Sequence, residues 1–346
     1  MKNVALFLVL ILVLACVNTP KSVKNTNVGA ALGTSYSIIY IADTQLDFQQ
    51  EIDSVFKAVN QSMSTYIPSS DISKINNGDT TVVVDAMFKE VFNVSTKVYS
   101  TSKGYFDPTV GVLVNAWGFG PGEQIQMDNK RVDSLLQYVG WDKVKLSTNG
   151  TIAKQNSNIR FDFNAIAKGY AIDCLGRMLS KKGIENYLIE VGGEVLTKGE
   201  NTFAQKQWTV GIDEPNNIEQ RGSAAVINLK DRALASSGNY RKFRIDSATG
   251  KKYVHSINPL TGYTKNSKVI AANVLANNCA TADAYATAFM VMDLEDSKEL
   301  LEQKKEELDG FIIYLDDDGK MQEFVTKGFK ALIIFKLKGF FLDLPI

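Results

Sequence analysis

The sequence is poor in the side chains from which many active sites are assembled. Its 346 residues hold one histidine, His255, so a metal centre built from several imidazoles is excluded. Three cysteines are too few for a disulfide framework, and none falls in a CxxC pair or at the His/Cys spacing zinc requires. Neither sign of charge is in excess, with Lys+Arg and Asp+Glu at 38 each; no long basic run or aromatic-basic interleaving suggests a nucleic-acid surface. Neither an internal repeat nor a low-complexity linker divides the chain. The N-terminal apolar run, Val4 to Ala15, has twelve residues, whereas a bilayer-spanning helix needs about 20.

What is present is a globular composition. With 45% hydrophobic residues, the chain can bury one large core or two smaller ones. Lys2 and the apolar run behind it form a signal peptide over residues 1–15. Val13-Leu14-Ala15-Cys16 resembles a bacterial lipobox, which implies a lipidated Cys16 as mature N-terminus; an ordinary cleaved signal peptide is the alternative. The polar stretch from Val17 to Asn27 reads as a flexible tether, so residues 16–30 are expected to stand outside the folded unit. Cys174 and Cys279 lie in separate helical patterns, far apart, and are expected as two buried thiols, a disulfide being the alternative.

Apolar periodicity predicts strand and helix intermixed. Ser35 to Ile41 is strand-like, and Ile52, Val55, Phe56, Val59 and Met63 form a helical stripe, as do Met87, Val91, Val94 and Val98. A helix over Ala167 to Met178 precedes a buried-type strand, Tyr187 to Val191. Further strands are predicted at Trp208 to Ile212, Ala224 to Leu229, Val269 to Leu275, Gly310 to Leu315 and Met321 to Val325, with Asp316-Asp317-Asp318-Gly319 as a turn. Strands and helices do not alternate regularly. The predicted class is therefore α+β, with mixed or antiparallel sheets flanked by helices in one compact unit over residues 31–330. Residues 331–346, apolar and aromatic, are expected as a closing strand plus a tail.

Common nucleotide signatures are missing. Gly118-Phe119-Gly120-Pro121-Gly122 has its third glycine one residue too soon for a dinucleotide fingerprint, and no Walker loop or Gly-x-Ser-x-Gly elbow occurs. Four segments nonetheless crowd polar and glycine residues where a core would not want them. They are Gly104 to Thr109 leading to Asn115 to Pro121, Asp162 to Tyr170, His255 to Gly262, and Ala280 to Thr287. Each has a plain reading: Asp107-Pro108 as a turn, Asp162 as a helix cap, Asn258-Pro259 with Thr261-Gly262 as a β-turn, and Asp283 as a cap or a charge in a first helical turn.

Together, in this order, these segments resemble the ApbE-type FAD:protein FMN transferases. Met63-Ser64-Thr65-Tyr66 with Ser73 and Asn76, Val191-Gly192-Gly193-Glu194, and Ser236-Ser237-Gly238-Asn239-Tyr240 extend the resemblance along most of the chain. It implies that Leu32, Tyr66, Trp117, Gly118, Phe119, Asp162, Lys168 and Ile257 line an FAD site. Magnesium would be held by Asp283, Thr287, Ala165 and Ala286, with Asp283 and Thr287 four apart on one helix face. Leu32 stands where the family often has methionine, and Asn258 where it often has aspartate. The implied reaction is attack by a threonine or serine hydroxyl of a target protein on the FMN-side phosphorus of FAD, releasing AMP, with His255 as base. An FAD pyrophosphatase and a non-catalytic FAD-binding lipoprotein are the alternatives. The resemblance further implies a lipid-anchored location facing the periplasm or the outside of a bacterium, and an acceptor within a membrane redox complex.

Overall fold

The computed structural model describes residues 22–215, 223–239, 243–245, 252–265 and 267–336. The expected signal peptide, Cys16, Tyr240 and residues 337–346 lie outside them. The described chain opens with strand β1 (Val23–Ala31), which pairs antiparallel with β2 (Thr34–Ala42). Leu32 and Gly33, at φ 52 and 76, make the two-residue connection; two positive φ values in succession suit the twist of a tight hairpin.

This hairpin corrects the expected tether, which from Val23 onward is sheet. The polar residues that suggested solvation point inward on alternate positions and find partners there. Asn25 Oδ1 accepts from Leu46 N at 2.9 Å, Asn27 Nδ2 donates to Asp47 Oδ1 at 2.7 Å, and Tyr40 donates its hydroxyl to Asn27 Oδ1 at 3.0 Å.

Helices α1 (Gln49–Met63), α2 (Asp71–Asn76) and α3 (Ala86–Thr101) follow, α1 and α3 burying the predicted stripes. Asp85 caps α3 by accepting from Phe88 N. Short helices α4 (Gly111–Ala116) and α5 (Asn129–Leu136) and the small hairpin β3 (Val144–Leu146) with β4 (Ile152–Lys154) lead to α6 (Ala167–Lys181). Then come β5 (Asn186–Val191), β6 (Glu194–Lys198), β7 (Trp208–Asp213), β8 (Ser223–Leu229) and β9 (Ala233–Gly238). After the short β10 (Phe243–Ile245) and β11 (Lys252–Val254), β12 (Val269–Ala276) turns into α7 (Cys279–Val291) and α8 (Leu294–Gln303). The chain closes with β13 (Asp309–Leu315), β14 (Met321–Val325), α9 (Lys327–Leu332) and β15 (Ile333–Lys336).

Eight strands form one sheet in the order β1-β2-β5-β6-β9-β12-β13-β14, and every neighbouring pair in it is antiparallel. The α+β expectation holds. Period-two alternation sends Ile189, Ala235, Ala272 and Val274 to one face, where α1, α3, α6 and α7 cover them. Val195, Leu234, Leu275 and Phe311 face the other way, against the three-stranded sheet β15-β8-β7. The expected boundary at residue 330 is therefore too early: Ile333, Phe335 and Lys336 pair with Ile227, Val226 and Ala225. A third, small cluster joins Leu113, Trp117, Val132, Val139 and Ile257. Cys174 and Cys279 are buried free thiols, as expected.

Helix α7 is the centre of the helical layer. Its sequence is apolar nearly all round, the pattern of a helix buried on every side. Asp283 is its buried exception, and a carboxylate in such surroundings is costly unless paired.

Candidate active site

The β1–β2 and β5–β6 turns lie side by side at one end of the large sheet. Gly192 and Gly193 connect β5 to β6 at φ 60 and 93, Tyr36 pairs with Val191, and Gly192 N donates to Ser35 O at 3.0 Å. Glu194 is the first residue after this turn and faces the helices, on the same side of β6 as Leu196. Its Oε1 receives Lys168 Nζ, from the first turn of α6, at 2.9 Å. The Glu194 side chain is only 5% exposed.

Asp283 reaches the same place from α7. Its Oδ2 accepts the Gly169 N–H at 3.2 Å, and its carboxyl lies against that of Glu194. Helices α6 and α7 run antiparallel here, as shown by a second contact in which Asp173 Oδ1 and Oδ2 accept Cys279 N at 2.7 Å and Ala280 N at 2.9 Å. Burial first, then the charge of Asp283, pushes the Glu194 carboxyl up to about 8, against the pull of Lys168. Burial also raises Asp283. For Lys168, burial would lower the ammonium, but the charges of Glu194 and Asp283 outweigh it and raise it. Among the described residues, four buried side-chain polar atoms lack a hydrogen-bond partner, and two of them, Glu194 Oε2 and Thr65 Oγ1, belong to segments gathered here.

Asp162 stands six residues before Lys168. It does not cap α6, whose first turn has Ile166 at the cap position without a side-chain bond. Its carboxylate instead accepts Asn164 N at 2.7 Å and Asn164 Nδ2 at 3.2 Å. Burial raises its carboxyl while these bonds lower it. Its charge is felt by Tyr66, whose phenol is raised by partial burial and then by Asp162, although the residue is 59% exposed. The turn that presents Tyr66 is tied down by Ser70 Oγ and Ser73 Oγ, both donating to Ser64 O. Asn76 exchanges two bonds with the Phe161 backbone, at 2.7 and 2.9 Å, fixing the segment that leads to Asp162.

Trp117 and Ile257, distant in sequence, meet in the third cluster, where Trp117 Nε1 donates to Gly262 O at 2.9 Å. Gly118 has φ 79 and Phe119 is half-buried beside it. Asn258 builds the loop that carries Ile257: its Oδ1 accepts Leu260 N at 2.9 Å and its carbonyl accepts Gly262 N at 2.8 Å. The amide thus performs the turn chemistry an aspartate would. His255, half-buried, directly precedes Ser256, whose Oγ donates to Asn239 Oδ1 at 2.7 Å, joining this loop to the end of β9. Leu32 packs against the main core at the neighbouring hairpin tip in a left-handed conformation that costs roughly 1–2 kcal/mol for a residue with a Cβ.

Asp283 lies beyond the first turn of α7, which Asn278 caps through Thr281 N; a capping role for Asp283 is ruled out. Thr287 and Ala286 follow on the same helix, and Ala165 lies in the turn before α6. Asp107 proves structural: it accepts Thr109 N, Thr109 Oγ1 and Trp141 N. Glu194 was legible only as part of a motif. Its period-two position, inward beside Leu196, was the signal that a charged side chain is buried there.

The single α+β unit thus carries a buried Lys–Glu–Asp cluster at its strand ends, and other segments order Tyr66 beside Asp162 and Trp117 beside Ile257. The sequence model of the ApbE family matches residues 32–312, and the chain belongs to that family. It is 33% identical over 316 residues to the FAD:protein FMN transferase of Haemophilus influenzae, covering 88% of this chain and 89% of the relative. The Vibrio cholerae FAD:protein FMN transferase is 32% identical over 96% of this chain and 99% of its own. The solved flavin transferase ApbE from Vibrio cholerae superposes with a TM-score of 0.79 at 31% identity, covering 90% of this chain and 99% of that structure.

Proposed function

We infer that this chain is an FAD:protein FMN transferase: it moves the FMN half of FAD onto a threonine or serine hydroxyl of an acceptor protein and releases AMP. The observation that carries this reading is the Lys168–Glu194 contact at 2.9 Å with Asp283 held beside it by the Gly169 N–H at 3.2 Å, inside a family whose relatives bear that activity.

The residues fit a magnesium ion. Their donors are hard oxygens, two carboxyls face one ammonium, and one buried carboxylate oxygen has no donor. The contacts Asp173–Cys279 and Gly169–Asp283 step four residues along each helix, and a further step leads toward Ala165 and Thr287. Asp283, Thr287 and the carbonyls of Ala165 and Ala286 would hold the ion, which when bound supplies positive charge to the pyrophosphate.

The rest falls to the chain's own groups. Tyr66, Trp117, Gly118, Phe119, Ile257 and Leu32 bind and orient FAD, with Asp162 held close to Tyr66. Lys168 neutralises charge that grows on the pyrophosphate as the bond to AMP breaks. His255 takes the proton from the acceptor hydroxyl as its oxygen bonds to the FMN phosphorus. The signal peptide and lipobox support a protein anchored through Cys16 to a bacterial membrane, facing the periplasm or the outside, with an acceptor in a membrane redox complex.

The test mixes the mature protein, FAD, magnesium and a candidate acceptor. Flavin fluorescence that stays with the denatured acceptor band supports transfer. Free FMN and AMP with an unlabelled acceptor would make the chain an FAD pyrophosphatase, and unaltered FAD a binding protein.

A further inference from the structure

We propose that Glu194 is an additional oxygen donor to the cation site, using the carboxylate oxygen that Lys168 does not engage. This rests on the reading of Asp283 as a magnesium ligand and extends it to a residue of the chain outside the ligand set given above.

The position is built for a carboxylate at some cost. The Gly192-Gly193 turn, bent to φ 60 and 93, starts β6 so that Glu194 points at the helices rather than at solvent. Gly193 N is already taken by Glu190 Oε1 at 2.6 Å, so the turn's own donor does not serve Glu194. Lys168 Nζ satisfies Oε1 at 2.9 Å and leaves Oε2 buried without a hydrogen-bond partner. A plain ion pair would need one carboxylate, yet Asp283 is packed against the same carboxyl. The remaining ionisable neighbours, Asp173 and Cys279, add no positive charge. Lys168 brings one positive charge to two buried carboxyls, so both are ionised together only with a further cation beside them. A hard divalent cation is the ligand that two carboxyls, carbonyl oxygens and a hydroxyl suit, because it removes the excess negative charge and takes oxygen donors only.

Mn2+ is the probe, titrated onto the mature chain without FAD and read as free ion by electron paramagnetic resonance. Glu194→Gln, which keeps shape and removes charge, is expected to weaken Mn2+ binding tenfold or more. Asp283→Asn is the second arm. Weakening by Asp283→Asn with unchanged affinity in Glu194→Gln overturns the Glu194 inference and leaves the site reading intact. Unchanged affinity in both variants overturns the site reading as well. If Glu194→Gln does not fold, the wild-type chain labelled with 13C-glutamate is examined by difference infrared spectroscopy: one equivalent of Mg2+ should shift a glutamate carboxylate band, and no shift overturns the inference.

Discussion

Gly169 donates its backbone N–H to Asp283 Oδ2 at 3.2 Å, and a Cβ at the same glycine would lie 2.4 Å from the Cys279 carbonyl oxygen. The contact that orients the carboxylate and the close approach of α6 to α7 are thus one feature. A carbonyl of a buried helix cannot swing aside as a side chain can. Gly169→Ala should therefore destabilise by about 1–3 kcal/mol through overpacking, even though alanine gains about 1 kcal/mol over glycine in helix propensity. Urea unfolding checks the sign, and a variant as stable as the parent would refute the close-approach argument.

Three buried carboxyls predict how stability responds to pH. Burial raises Asp107 and Asp173 from 3.8 to about 6 and Glu194 to about 8 in the folded chain. Between the unfolded and folded values, the folded chain binds more protons. Each group's contribution is therefore full below its unfolded pKa and is lost as pH rises through the folded one. Metal-free protein should lose stability from about pH 4 to pH 8, by about 3 kcal/mol for each aspartate, complete by about pH 7, and with the Glu194 part extending furthest. Asp173→Asn should flatten the part between about pH 4 and pH 6 while costing about 1 kcal/mol, because an amide oxygen replaces only one of the two acceptors now facing Cys279 N and Ala280 N. Urea melts at a series of pH values give both numbers, and a slope unchanged in the variant would exclude Asp173 from the linkage.

Periodicity located most of the framework, since the stripes at Ile52 to Met63 and Met87 to Val98 became α1 and α3, and the strand runs became β2, β5, β7, β8, β12, β13 and β14. It failed at β1, because Asn25 and Asn27 satisfy their amides inside and look soluble from composition alone. It also missed β9, whose Ala233 to Gly238 are small residues without a strong alternation. At the site, spacing along one helix was readable for Asp283 and Thr287. The pairing of Lys168 with Glu194 was not, because it depends on a glycine turn that brings a strand end to a helix start.

Trp117→Phe keeps the ring and deletes one donor. Gly262 O, buried, would lose its 2.9 Å partner, at about 1–2 kcal/mol. The loop carrying Ile257 should loosen, and FAD binding, followed by flavin fluorescence quenching, should weaken several-fold. Unaltered affinity would show that Trp117 merely packs.

Asp283→Ala removes a carboxylate that, in the proposed reaction, holds magnesium. Turnover that depends on magnesium should disappear, and raising the metal concentration should restore little of it. Full activity of this variant in low magnesium, measured as AMP release, would count against the metal assignment.

His255→Ala tests the base directly. The residue is half-buried at the start of a loop that Ser256 and Asn258 also tie down, and its removal leaves the hydrogen bonds of those two side chains in place. A positioned base of near-neutral pKa contributes about 10²–10⁴ in rate, so transfer to the acceptor should fall by that factor. FAD affinity should stay close to that of the parent, because the groups assigned to bind FAD are other residues, which the substitution leaves in place. The two effects separate in one experiment, with flavin quenching reporting the complex and acceptor fluorescence reporting transfer. Transfer at the parental rate would remove His255 from the chemistry.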